Sequence, residues 1–110
     1  MGLDNVWRKS GKNVSIKGEF NLVGGGFSGF GNDSFSGKVY NDIIEKITGE
    51  SLYQYEIPNE TVRKIASKLE STIWEENLSN EYVVDKEEYS NLCKMFKAHA
   101  EAGHTLHGYW

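Results

Sequence analysis

GGGFSGFGNDSFSG, residues 24–37, decides how the chain divides. Six of the 12 glycines fall inside it, and it separates a strand-like amino-terminal third from a helical remainder. Ordering a glycine costs about 0.5–1 kcal/mol more than ordering an alanine, so fixing six costs about 3–6 kcal/mol, close to the net stability of a small domain. Burial of Phe27, Phe30 and Phe35, at about 1.5–3 kcal/mol each, offsets that cost. A solvated linker has no use for three phenylalanines. The stretch is therefore expected to be a folded surface loop pinned by its aromatic side chains, with bare backbone between the pins open to a ligand or partner.

Upstream of it, NVSIKGEFNLV (13–23) alternates Val14, Ile16, Phe20 and Leu22 against Ser15, Lys17, Glu19 and Asn21, the period of a half-buried strand. Lys17-Gly18 is either a tight turn that folds the run into a hairpin or the site of a bulge. Downstream, SGKVYNDIIEKITG predicts a helix with a stripe of Val39, Tyr40, Ile43, Ile44 and Ile47, opened by Ser34 or Ser36 and closed by Gly49 in a left-handed cap. SLYQYEI (51–57) alternates Tyr53, Tyr55 and Ile57 against Gln54 and Glu56, which predicts a second strand. Pro58 stops it. Asn59 is then expected to cap a helix whose apolar face is Val62, Ile65, Ala66, Leu69 and Ile73. Tyr82-Val83-Val84 reads as a short edge strand, and Asp85 with Glu88 has the spacing of a capping box, stapled by Val84 and Tyr89. The third helix carries Tyr89, Leu92, Cys93, Phe96 and Ala100 on its buried side and ends at Gly103, after which HTLHGYW returns as a last strand. The expected fold is α+β, with three helices packed on one face of a small, mostly antiparallel sheet.

A chain of 110 residues fits one domain with a core of its own. Its apolar share of 38%, with the glycines added, reaches the ordinary globular range, which excludes global disorder. The single cysteine excludes an internal disulfide and suits a reducing compartment. MGLDNVWRKSGKN has no apolar core of a signal peptide, and no apolar run is long enough to span a membrane, so a cytoplasmic location without membrane contact is expected. Val6 stands where a myristoylation signal needs Ser or Thr. The net charge of −4 is unevenly spread: Glu75, Glu76, Glu81, Asp85, Glu87 and Glu88 are offset only by Lys86, a solvated acidic surface around a helix start or a docking face for a basic partner.

Local motifs do not define a reaction. Gly24, Gly26 and Gly29 satisfy G-x-G-x-x-G, but Phe30-Gly31-Asn32-Asp33 forms a turn where a dinucleotide site needs a helix. Val39 stands where a phosphate loop needs a hydroxyl. The helix start at Ser36-Gly37-Lys38 has free amides of the kind that hold an anion, against the simpler reading of a serine cap. His99, His104 and His107 cluster near the carboxyl end, yet Cys93 lies on an apolar stripe and His99 is separated from the other two by a helix end, so convergence needs a reversal at Gly103. No metal and no cofactor are expected. Nucleic-acid binding through Arg8, Lys9, Lys12 and Lys17 with Trp7, Phe27 and Phe30 is disfavoured by the acidic balance.

Met1-Gly2-Leu3-Asp4-Asn5-Val6-Trp7, the middle Gly25-Gly26-Phe27-Ser28-Gly29 with Ser34-Phe35-Ser36-Gly37-Lys38-Val39-Tyr40, and the closing Ala102-Gly103-His104 to Gly108-Tyr109-Trp110 resemble a set of small uncharacterised proteins from bacteria and their phages. The resemblance implies a compact stand-alone protein and brings no activity or catalytic residue. Both ends and the glycine loop would then meet in space. The leading expectation is a small non-enzymatic accessory protein that binds a protein partner or small ligand through Gly25, Phe27, Gly29, Phe30, His104, His107, Tyr109 and Trp110. The alternatives are a small hydrolase or transferase using the histidines with Asp4 or Asp33 as acid and base, and a homo-oligomer that buries Tyr53, Tyr55 or Trp110 between copies.

Overall fold

Asp4–Lys9 forms β1, the strand to which every other strand is bonded. The computed structural model describes residues 2–16, 20, 22, 33–76, 78 and 82–110. Ser10 and Gly11 both take positive φ, which turns the chain sharply into β2 (Lys12–Asn13) antiparallel to the end of β1. β3 (Phe35–Ser36) pairs with Asp4 and Asn5 at the other end of β1. β4 (Thr105–Tyr109) runs antiparallel along β1 from Arg8 opposite Thr105 to Asp4 opposite Tyr109. Because β4 takes one whole edge of β1, β2 and β3 share the other.

Three helices, α1 (Gly37–Thr48), α2 (Asn59–Glu70) and α3 (Lys86–Glu101), pack on this antiparallel sheet in an α+β fold, as the apolar periodicities imply. α2 lies against both α1 and α3. The core face of the sheet presents Asn5, Trp7 and Leu106, all fully buried, to Tyr40, Ile43 and Ile44 of α1, Ile65 and Leu69 of α2 and Leu92 and Phe96 of α3. Trp7 meets Phe96 edge-on at 5.2 Å and Phe35 at 6.5 Å between ring centroids. Cys93, half-buried against the same core, turns its thiol to the Leu69 carbonyl at 3.6 Å, and burial pushes its pKa up, the profile of an inert thiol.

Helix ends follow local chemistry. Gly49 caps α1 at φ 78°, returning its amide to the Glu45 carbonyl. Asp85 accepts the Glu88 amide at 2.8 Å, half of the expected capping box. The other half is missing because the Glu88 carboxylate accepts the Tyr40 hydroxyl at 2.9 Å instead. Gly103, at φ 79°, closes α3 in a Schellman motif, its amide on Ala100 O and the His104 amide on His99 O.

Several expectations are corrected. Residues 51–57 form no strand: a single bridge joins Ile57 to Leu106, and Leu52 and Ile57 are buried while Tyr53 and Tyr55 face outward. Pro58, not Asn59, occupies the cap position of α2: the Asn59 Oδ1, the atom a cap would use, accepts from Arg63 Nε at 2.8 Å, and its Nδ2 donates to Ala100 O and His104 O at 3.2 and 2.9 Å. Ser36 caps α1 by position only, without a side-chain hydrogen bond. Ile73 lies beyond the end of α2 and is exposed, as is Val83, and Tyr82-Val83-Val84 is not a strand. In the run read as strand 13–23, Asn13 alone is in a strand among the described residues, although Val14 and Phe20 pack against the core and Leu22 is buried in it. Whether Gly18 turns or bulges lies outside the described residues.

Gly37 is where α1 meets the sheet. Its amide donates to Leu3 O at 2.9 Å, and a methyl group there would lie 1.7 Å from Asn5 Oδ1 and 2.7 Å from Leu3 Cδ2. Gly37→Ala is therefore expected to lower the unfolding free energy by about 1–3 kcal/mol in urea titration, as overpacked cores do. Gly2→Ala, with open space around it, is expected to leave the midpoint unchanged.

Candidate functional site

β4 organises two separate groups of side chains, one at each end. At its carboxyl end Gly108 donates its amide to Gln54 O at 3.1 Å, and a Cβ at Gly108 would collide with Gln54 O and Leu52 O. That close approach lays residues 52–55 beside the tail. Trp110 stacks on Tyr55 with ring centroids 5.2 Å apart and planes 25° apart, and meets Tyr53 at 5.8 Å and 69°. Tyr55 remains 80% exposed and Trp110 50%, so the rings cover one another only in part and still present a surface outward. Tyr109 is exposed, and Glu56 follows Tyr55 with its carboxylate 3.6 Å from His107 Nε2.

At the amino end of β4 the reversal at Gly103 brings His104 back onto His99. Their Nδ1 atoms are 2.7 Å apart, and His99 Nε2 lies 2.7 Å from Asp33 Oδ2. Asp33 Oδ2 also accepts the Ile16 amide at 2.7 Å. His99 is fully buried and lies flat on Trp7, centroids 4.1 Å apart and planes 2° apart. Burial depresses its pKa to about 3, with the neighbouring His104 acting in the same direction, so the imidazole is neutral. Burial raises the pKa of Asp33, opposed by the Ile16 amide and by His104. His104 is lowered by burial and then by the Lys9 charge, with Asp33 opposing. The short contact between His99 and Asp33 is therefore a hydrogen bond of neutral imidazole to carboxyl and not a buried ion pair.

The expected binding residues thus fall into different places. Trp110 joins Tyr53 and Tyr55, Tyr109 is exposed, His107 is half-buried against Glu56, and His104 turns inward to His99 and Asp33. Gly25, Phe27, Gly29 and Phe30 lie outside the described residues. The Asp33 and histidine pairing carried a partial sequence signal in Gly103, whereas nothing local linked Trp110 to Tyr53 and Tyr55. Among the described residues no group of three or more His, Cys, Asp or Glu side chains could hold a metal ion, and no helix is long and apolar enough to cross a membrane. Set against family models, curated proteins and solved structures, the chain matches none of them.

A histidine with a depressed pKa binds its proton more readily in the unfolded chain. The stability it contributes is present above the ordinary value near 6.5 and is lost as pH falls toward about 3. His104 and His107, both lowered chiefly by burial, act in the same sense, and Asp33, raised, acts in the opposite sense at the acid end. The urea unfolding free energy is expected to fall between about pH 7 and about pH 5, with a slope of at most about 1.4 kcal/mol per pH unit for each histidine. His99→Gln is expected to flatten that slope. A wild-type profile already flat would show that His99 is not held neutral.

Proposed function

We propose that the protein is an accessory factor that captures another protein through the ring cluster of Tyr53, Tyr55 and Trp110, with the exposed Tyr109 next to it in sequence. The observation that carries this reading is the stacked, half-exposed pair of Trp110 and Tyr55, supported from below by the Gly108 contact. Tyrosine and tryptophan supply large contact area with few rotatable bonds, and interface hot spots are rich in them. The carboxylate of Glu56, next in sequence to Tyr55 and near His107, and the chain's net charge of −4 favour a partner that brings arginine, whose guanidinium stacks on aromatic faces while pairing with a carboxylate. Gly25, Phe27, Gly29 and Phe30 are a second candidate contact and lie outside the described residues.

Point substitutions test this better than removal of the tail, because His107 and Gly108 pair with Val6 and Asn5 in the sheet. Trp110→Ala and Tyr55→Ala are each expected to weaken capture of the native partner, recovered by co-purification from the source cells, by about tenfold or more, the size of a hot-spot loss. Melting temperature should stay close to wild type. Undiminished capture by both variants would reject the ring cluster as the contact. Sedimentation at several concentrations gives the other outcome: a mass that falls on Trp110→Ala would make the occupant a second copy of this chain.

A further inference from the structure

The chain of Asp33, His99 and His104 is independent of the ring cluster, and its proton positions can be worked out from donor and acceptor rules. The Ile16 amide can only donate, so Asp33 Oδ2 accepts from it. As a carboxylate, the same oxygen accepts the Nε2 proton of neutral His99. His99 Nδ1 is then a bare acceptor, and the proton between the two histidines belongs to His104 Nδ1. That leaves the lone pair of His104 on Nε2. Among the described residues no partner bonds this atom, and it is not among their buried, unpartnered polar atoms, which are Asn5 Oδ1, Trp7 Nε1 and Arg8 Nε. His104 as a whole is 7% exposed, and its outer nitrogen is an unpartnered acceptor that is not fully sealed.

We propose that His104 Nε2 is a general base for ester hydrolysis and that Asp33 is the sink for the proton it takes. A water molecule attacking an acyl ester forms a bond from its oxygen to the carbonyl carbon and gives a proton to His104 Nε2. His104 Nδ1 passes its proton to His99 Nδ1, and His99 Nε2 passes its proton to Asp33 Oδ2. The chain begins with one negative charge and ends neutral, with each imidazole still carrying one proton. No imidazolium has to be sustained in the apolar surroundings of Trp7 and Phe96, which is the species that burial penalises most. The alkoxide leaves as the tetrahedral intermediate collapses and is protonated as the chain runs back, so ester and water become acid and alcohol. Lys9, whose ammonium is tied to Ala102 O at 3.3 Å and whose charge is felt at His104, is the nearby cation for the developing oxyanion. His99 is a positioning residue in this scheme, since it touches only Asp33 and His104.

The test uses the full chain, p-nitrophenyl acetate as the probe, and nitrogen NMR of the histidine rings. Wild type is expected to show His104 protonated at Nδ1 and bare at Nε2, and to cleave the probe. His104→Gln and Asp33→Asn are each expected to cut that rate about tenfold or more, a modest share of what general bases supply. Asp33→Asn preserves an acceptor for Ile16 and His99 but cannot store a proton, so it should also move the acidic limb of the pH–rate profile to lower pH. A proton found on His104 Nε2 in wild type at neutral pH would overturn the proposal even if neither variant folds. So would a rate and profile in Asp33→Asn equal to those of wild type.

Discussion

Trp7 lies flat on His99, and at this contact three parts of the chain that are remote in sequence are held together. The indole belongs to β1, the strand that bonds to β2, β3 and β4, and the imidazole belongs to the last turn of α3. His99 in turn holds Asp33, which leads into β3, and His104, which leads into β4. Removing an aromatic side chain of this size from a core costs about 3–5 kcal/mol, a large part of what a domain of this length has. The stack also explains a local defect. With the indole plane set by the imidazole, Trp7 Nε1 is left buried with no acceptor among the described residues.

A buried polar chain is costly unless its contacts are satisfied, and Asp33, His99 and His104 contact one another by sharing protons and not by charge pairing. An ionised His99 against an ionised Asp33 would have to be stabilised in surroundings made of Trp7, Phe20 and Phe96, where desolvation of both ions offsets their attraction. Neutral rings linked to one carboxylate avoid that. The opposed shifts, His99 downward and Asp33 upward, follow from the same burial, and they mean that an added proton is best placed on the carboxyl. Asn59 completes the arrangement from outside by holding Ala100 O and His104 O, so the turn at Gly103 is fixed from both sides.

What was legible in the sequence was what repeats along one element. The apolar spacing of α1, α2 and α3 and the glycine ends of α1 and α3 are local, and the structure follows them. β1 was hidden because Asn5, Val6 and Trp7 are all buried in succession: a strand covered on both faces loses the period of two that marks a strand with one wet face. Residues 51–57 misled in the opposite direction. Their alternation is real, but Tyr53 and Tyr55 are the outward residues, and the segment meets β4 through the Gly108 to Gln54 hydrogen bond and a single bridge at Ile57 before Pro58 turns it into α2. Local chemistry favours Asn59 as a cap, whereas its Oδ1 accepts from Arg63 and its Nδ2 is held by carbonyls 41 and 45 residues away. Asp33 and His99 are 66 residues apart, a separation at which no spacing rule operates.

β4 also sets the relation between the two candidate sites. His104 stands just before it and Trp110 just after it, and six residues of extended chain span about 20 Å. A ligand small enough to reach His104 Nε2 cannot touch the Trp110 ring at the same time, so the proton chain and the ring cluster do not form one small-molecule pocket. A protein partner seated on Tyr55 and Trp110 is large enough to extend along β4 toward His104. The strand that would carry any effect of such a partner is bonded throughout to β1, whose Trp7 rests on His99, so displacement at one end of β4 is resisted by the packing that fixes the proton chain at the other.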